Sequence, residues 1–167
     1  MTKLIEDILK NSKTIAMVGV SSLKKKEDPK NLKRKPSTIV MKYMQEFGYR
    51  VIPVNPFAEG EIIHGEKVFS KLEDINWGKL GVDIVFECTG KFNSKEKLET
   101  HIKNGAQKVI VSAPCKNADK SIVYGVNQNI LSKDDKIISA ASCTTNCLAP
   151  VAKVINENFE IEKGFMT

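Results

Sequence analysis

The chain has no apolar run of the roughly 20 residues that a membrane-spanning helix requires. Its opening stretch, MTKLIEDILKNSK, alternates apolar and charged positions and so reads neither as a signal peptide nor as an anchor. Leu4, Ile5, Ile8 and Leu9 instead have the spacing of a short amphipathic helix. Cysteine is sparse: Cys88, Cys115, Cys143 and Cys147 form no CxxC and no secreted-scaffold spacing. That usage fits reduced thiols in the cytoplasm better than a disulfide framework. The Cys143/Cys147 pair lacks further ligands at useful spacing, so no metal site is expected. Aromatics are 7% of the chain, with one Trp and three Tyr, too few to interleave with basic residues along a nucleic-acid strand. No internal repeat occurs.

What is present is ordinary for a globular domain. Hydrophobic residues make up 41% of 167 and charged residues 28%, enough to bury one real core without staples. The net charge of +6 is concentrated in residues 24–35, KKKEDPKNLKRK, where seven basic residues meet two acidic ones. The remainder carries 19 basic against 18 acidic residues, so the protein is near neutral with one basic loop. Such a loop is either a solvated connection or a contact for an anion, and a phosphorylated small molecule suits its size.

Short apolar runs recur at residues 14–20 (TIAMVGV), 50–54 (RVIPV), 82–87 (VDIVFE), 108–113 (KVIVSA), 121–126 (SIVYGV) and 136–141 (KIISAA). Their near-continuous Val, Ile and Ala content predicts strands covered on both faces of a parallel sheet. Helical stretches lie between them. Residues 37–47 start at Pro36-Ser37 and end at Gly48, residues 94–104 have Ser94 as cap and end at Gly105, and residues 144–159 follow the last strand. The alternation predicts an α/β fold: one doubly wound, Rossmann-type, mostly parallel sheet with helices on both faces, spanning residues 1–167.

In such sheets a ligand binds at the carboxyl ends of the strands, where strand order reverses. The first strand ends in Val18-Gly19-Val20-Ser21-Ser22, and a helix start follows at Ser37. Glycine lets backbone approach a phosphate, and a helix N-terminus adds free N–H groups. The full GxGxxG fingerprint is absent, so a plain Gly-Ser turn remains an alternative. The second strand ends in Pro53-Val54-Asn55-Pro56, without the acid that binds ribose hydroxyls in NAD sites. That favours a phosphorylated ribose, as in CoA or NADP, over NAD.

Two resemblances divide the chain. AMVGVSS, KPSTIVMKYMQEFGYRVIPVNP and GEKVFSKLEDI, covering about residues 13–75, resemble the small CoA-binding Rossmann proteins of bacteria. The resemblance implies that Gly19, Ser21, Ser22, Lys35, Ser37, Asn55 and Pro56 line a nucleotide crevice. WGKLGVDIVFECTGKF, KNGAQKVIVSAP, YGVNQ and ASCTTNCLAPVAKVINENF, within residues 76–167, resemble the phosphorylating glyceraldehyde-3-phosphate dehydrogenases. This second resemblance implies that Cys143 is the nucleophile that attacks an aldehyde and holds a thioester. It implies that Ser142 and Thr144 contact substrate phosphate, and that Thr89, Gly90, Phe92, Ser112 and Ala113 line an NAD pocket.

Cys143 stands where a strand meets a helix start, and helix N–H groups and dipole favour a thiolate there. Thr144 and Thr145 are expected to satisfy some of the same donors. Pro150 is expected to break or kink the helix. Cys147 is expected to be a packed structural thiol, and Cys88 and Cys115 strand-end residues without chemistry. The dehydrogenase family's His base lies beyond Phe165-Met166-Thr167, where its substrate domain would follow, and neither His64 nor His101 matches it. His101 is expected to have a surface or packing role.

The sequence therefore reads as a hybrid joined between residues 71 and 77. The expected function is a nucleotide-cofactor-binding domain, for CoA or NAD(P), that carries the catalytic cysteine but performs negligible chemistry. The alternative is an NAD-dependent glyceraldehyde-3-phosphate dehydrogenase acting as a fragment or in an oligomer. The expected partner is a small-molecule nucleotide, with homo-oligomers allowed and no membrane or nucleic acid.

Overall fold

The computed structural model describes residues 3–23, 36–72 and 75–165. In chain order its elements are α1 (Lys3–Asn11), β1 (Thr14–Val18), α2 (Pro36–Glu46), β2 (Arg50–Val54), β3 (Ile62–Ile63), β4 (Glu66–Lys67), β5 (Ile84–Glu87), α3 (Lys95–Lys103), β6 (Lys108–Val111), β7 (Lys120–Ser121), β8 (Ile137–Ser139) and α4 (Cys143–Phe159). The main sheet has six strands in the order β2-β1-β5-β6-β8-β7, and every pairing in it is parallel. The chain runs outward from β1 to β2 and then returns to the other side of β1 at β5. Strand order therefore reverses between β1 and β5, and that reversal opens a crevice above their carboxyl ends. The register aligns those ends: Val18 lies opposite both Val54 and Glu87, Glu87 opposite Val111, and Val111 opposite Ser139.

The apolar runs are buried on both faces, as a parallel sheet requires. On one face Ala16, Val18, Ile52, Val85 and Val109 pack with Leu98 of α3 and with Trp77. On the other, Met17 and Val51 pack with Met41 of α2, Ile63 and Val68. Each such side chain contributes roughly 1.5–3 kcal/mol when fully buried. The two halves share this core, because Trp77, Val82 and Val85 join the same cluster as Ala16 and Ile52. Backbone ties reinforce the union. The Asp83 carboxylate accepts from the N–H of Lys13 (2.7 Å) and Thr14 (3.0 Å), and Cys88 N–H donates to Val18 O at 2.9 Å.

Several boundaries differ from the sequence expectation. Of the apolar run at 121–126 only Ser121 enters a strand, the two-residue β7, because Asn127 captures the chain after it. Asn127 Oδ1 accepts from Val123 N–H at 2.8 Å and its Nδ2 donates to Ser121 O at 3.0 Å. A β3–β4 hairpin, unforeseen in the sequence, turns through His64 and Gly65, both at positive φ. α2 begins at Pro36, whose fixed φ and missing N–H suit the first helical position. Ser94 occupies the N-cap position of α3, yet its side chain makes no capping hydrogen bond. α4 begins at Cys143, one residue earlier than expected, and runs as one helix across Pro150. No helix among the described residues is long and apolar enough to cross a membrane.

Candidate functional site

The crevice at the strand reversal encloses about 570 Å³. Met17, Gly19, Ser21 and Ser37 line it from the first half of the chain, and Cys88 and Ser112 from the second. Gly19 is at φ +94°, and a Cβ there would stand 3.0 Å from Cys88 C and Thr89 N. Only glycine allows the loops after β1 and β5 to approach this closely. Gly19 N–H is bonded to Val54 O at 2.8 Å, so the turn is fixed from the β2 side as well.

The loop after β1 is tied to the start of α2. Ser21 N–H donates to Ser37 Oγ at 3.0 Å, the two hydroxyls are 3.1 Å apart, and Thr38 Oγ1 donates to Ser21 O at 3.2 Å. These ties hold the hydroxyls and the free N–H groups of α2 at one end of the crevice, where an anion is favoured. Asn55 is a brace: its Nδ2 donates to Val20 O and its Oδ1 accepts from Phe57 N–H, both at 2.8 Å. Pro56 follows it in an exposed turn. Ser22 Oγ donates to the carboxylate of Glu61, which also accepts from Leu23 N–H at 3.0 Å. Glu61, buried in the connection between β2 and β3, is missed by sequence reasoning, since nothing in its local pattern marks it. Lys35 and the whole basic segment 24–35 lie outside the described residues.

The second-half residues divide. Ser112 lines the crevice together with Cys88, which had been read as a strand-end residue without chemistry. Burial pushes the Cys88 thiol up, and a hydrogen bond with Ser112 pulls it only part of the way back. Cys88 is therefore a neutral, weakly polar wall. Thr89 N–H donates to Glu87 Oε1 at 2.7 Å, and its hydroxyl bonds the same oxygen. Gly90 follows at φ +70°. Phe92 turns away from the crevice and packs toward α3, its ring centroid 6.0 Å from that of His101. Ala113 packs in the same α3-side cluster, and its carbonyl accepts from Ser139 Oγ at 2.9 Å.

Cys143 is exposed at the first position of α4. The cap comes from Ser142, not from the two threonines: Ser142 Oγ accepts from Thr145 N–H at 3.0 Å. Asn146 Nδ2 adds bonds to Ala140 O (2.7 Å) and Ser142 O (2.9 Å). Ala141, just before the cap, is held at φ +59°. Thr144 is exposed, and so is Cys147, contrary to the expected packed thiol, because no other element among the described residues covers that side of α4. His101 is buried on α3 with its Nε2 3.6 Å from Glu87 Oε2, and exposed His64 sits in the β3–β4 turn.

Comparison with known proteins also finds two parts in the chain, divided at a later residue. Residues 13–141 match the family model described as CoA binding domain, and residues 142–167 match that described as glyceraldehyde 3-phosphate dehydrogenase, C-terminal domain. The first match passes the expected join near residue 75 and ends at the strained Ala141 before α4. Among individual relatives, the chain is 54% identical to the glyceraldehyde-3-phosphate dehydrogenase of Clostridium pasteurianum over 110 residues, 64% of this chain and 33% of that protein. It is 60% identical to the enzyme of Cereibacter sphaeroides over 87 residues, 52% of this chain and 26% of that protein. The enzyme of Geobacillus stearothermophilus is 44% identical over 133 residues, 77% of this chain and 40% of that protein. The chain thus spans about a third of the length of these relatives. Both resemblances seen in the sequence are present, one over a CoA-binding domain and one to dehydrogenases over part of the chain.

Proposed function

The chain belongs to the CoA binding domain family, and from that premise we propose that its crevice takes CoA, with NADP as the next best ligand, and that the chain performs negligible redox chemistry. It is a nucleotide-binding domain with dehydrogenase likeness over part of its length. The observation that carries the reading is Gly19: the strand reversal brings it against the β5 loop with no room for a side chain, beside the Ser21–Ser37 hydroxyl pair. A pyrophosphate would lie along Gly19 and Ser21 and meet the N-terminus of α2. Ser21 and Ser37 now bond each other and would re-aim toward phosphate oxygens. Asn55 at the end of β2 presents no carboxylate to repel a ribose phosphate. Ser22, Pro56 and Lys35 complete the proposed crevice set.

Cys143 is the proposed acyl-carrying residue of a dehydrogenase-type step, with Ser142 and Thr144 toward a substrate phosphate. Thr89, Gly90, Phe92, Ser112 and Ala113 are the corresponding NAD set. Such a step needs a general base, whose loss commonly costs about 10²–10⁴-fold. Neither described histidine lines the crevice, and the Ser142 hydroxyl is engaged as a cap. The second reading, a dehydrogenase working as a fragment or within a homo-oligomer, is favoured by the exposed Cys143 in its SCTTNC setting. Four free thiols and a small-molecule ligand fit a cytoplasmic protein.

Calorimetric titration with CoA, NADP and NAD tests the proposal, with CoA expected to bind best. Equal, negligible heat from all three would sink it. NADH formation from glyceraldehyde 3-phosphate and phosphate that vanishes in Cys143→Ser would establish the second reading instead.

A further inference from the structure

The two faces of the main sheet are not covered alike. On the α3 side Val85, Val109 and Val111 are at most 1% exposed. On the other side Phe86 and Ile110, in the inner strands β5 and β6, are only half-buried. Inner strands of a parallel sheet are ordinarily covered on both faces. Over these two, the described residues leave an apolar cavity of about 350 Å³. Its floor is two rows of side chains in register. Phe86, Ile110 and Ile138 form the upper row, and Ile15 and Ile84 the lower. Ile5 and Ile8 of α1 stand in the wall, together with Ile122 and Leu131 from the far end of the sheet. Tyr49 Oη donates to Leu9 O at 3.1 Å, which ties α1 in place. Among the described lining residues only Lys108 is charged, and its ammonium is engaged by Lys133 O and Asp135 O at 3.0 and 2.7 Å.

This cavity adjoins the crevice: Phe86, Ile110 and Ala140 line both. Resting on the CoA reading above, we propose that the cavity takes the acyl chain of an acyl-CoA thioester, a chain of medium length and without charge. The crevice sets the direction of entry. A diphosphate held at Gly19, Ser21 and the start of α2 sends the pantetheine arm toward Cys88, Ser112 and Ala140. There the thioester meets the shared walls, and the chain turns down the sheet. From Ala140 past Ile138 to the row of Ile84 the floor spans four residues, roughly 13 Å of strand. An apolar cavity of roughly 150 Å³ stays dry and holds a guest the size of benzene. The cavity here has over twice that volume and is elongated, which suits an octanoyl chain. A chain ending in a carboxylate would find no free cation to pair with among the described lining residues, and burying it unpaired is costly.

The test is a calorimetric series on the full chain with CoA, acetyl-CoA, butyryl-CoA and octanoyl-CoA. Each buried methylene is worth up to roughly fourfold in affinity, less what ordering the chain costs. Octanoyl-CoA is expected to bind about thirtyfold tighter than CoA, with affinity rising along the series and a more negative heat-capacity change. Ile122 lines the cavity and not the crevice. Ile122→Trp, which fills the cavity, is expected to bring the ratio of octanoyl-CoA to CoA affinity close to one, and Ile122→Leu to keep it. If the parent binds CoA and octanoyl-CoA equally well, the acyl site is wrong while the crevice reading survives. An undiminished ratio in a folded Ile122→Trp overturns it equally. If the parent takes neither ligand, the crevice reading fails and the acyl site with it.

Discussion

The crevice around β1 and the helix that begins at Cys143 are built in opposite ways. Every turn in the crevice is fixed by groups distant in sequence: Ser21 by Ser37, Val20 by Asn55, Gly19 by Val54 and the β5 loop. α4 is held mainly by its own residues, through the Ser142 cap and Asn146. It has 17 residues and none is buried. Val151 and Val154 stay 55% and 59% exposed, whereas the nine-residue α3 buries Leu98 and His101. Helices in water take most of their stability from packing, and an interior proline costs about 3 kcal/mol. A binding groove needs rigid backbone, and tertiary ties supply it. α4 touches the rest of the fold through Lys153, whose Nζ donates to Gly125 O at 2.9 Å, while Cys143 at its start stays exposed.

Four substitutions test this contrast. The largest effect is expected from Gly19→Ala, which forces a Cβ into the β5 loop at positive φ. It should lower stability by about 2–3 kcal/mol and abolish nucleotide binding in a calorimetric titration. Unaltered binding would mean that the crevice does not need the close approach.

Next is Asp119, which joins α3 to β8. Burial pushes its carboxyl up, but bonds from Lys95 and from the N–H groups of Ile137 and Lys136 outweigh that and hold it at about 2. A carboxylate titrating below its ordinary value stabilises the fold above that ordinary value, and the contribution fades as pH falls toward 2. Solvent screens the Lys95 pair at this partly exposed site, so the contribution near neutrality is about 1 kcal/mol. Acid titration of Asp119→Asn should show a shallower loss of stability between pH 4 and 2 than the parent. Identical acid profiles would refute the assignment.

Ser142→Ala should cost about 1 kcal/mol, the usual value of an N-cap. The loss should appear as faster amide exchange across α4 with CoA affinity unmoved. A drop in affinity would show that the two regions are coupled after all. The smallest change is Ala141→Gly, which relieves a residue at φ +59°. Relief of the left-handed strain and the added freedom of the unfolded chain nearly offset each other, leaving about 0.5 kcal/mol of stabilisation, visible in a thermal melt.

Much of the sheet was legible because its strands are long enough to carry a pattern. β1, β2, β5, β6 and β8 fall within the apolar runs of the sequence. The hairpin of β3 and β4 escaped notice because two-residue strands have no periodicity to read. β7 shrank because a side chain, Asn127, outcompeted the ladder for Val123 N–H. In the crevice, Gly19, Ser21, Ser37 and Ser112 were visible in the sequence and come together in space. Cys88 also lines it, although it looked inert, and Glu61 gave no local signal. Cys147 looked packed because a one-turn spacing suggests a buried stripe, but burial depends on what lies opposite.

The order of apolar runs, glycines and caps determined by itself that this chain forms a parallel α/β sheet with a glycine turn at the end of its first strand. Those are consequences of short-range sterics and hydrophobic periodicity, which neighbouring residues dictate. Which side chains share the crevice was decided only by the tertiary structure. Strand alternation assigns each residue to one of two faces, yet it does not say which distant loops will meet. Ser112 therefore came to line the crevice, while Phe92 turned to pack beside His101 on the face of α3.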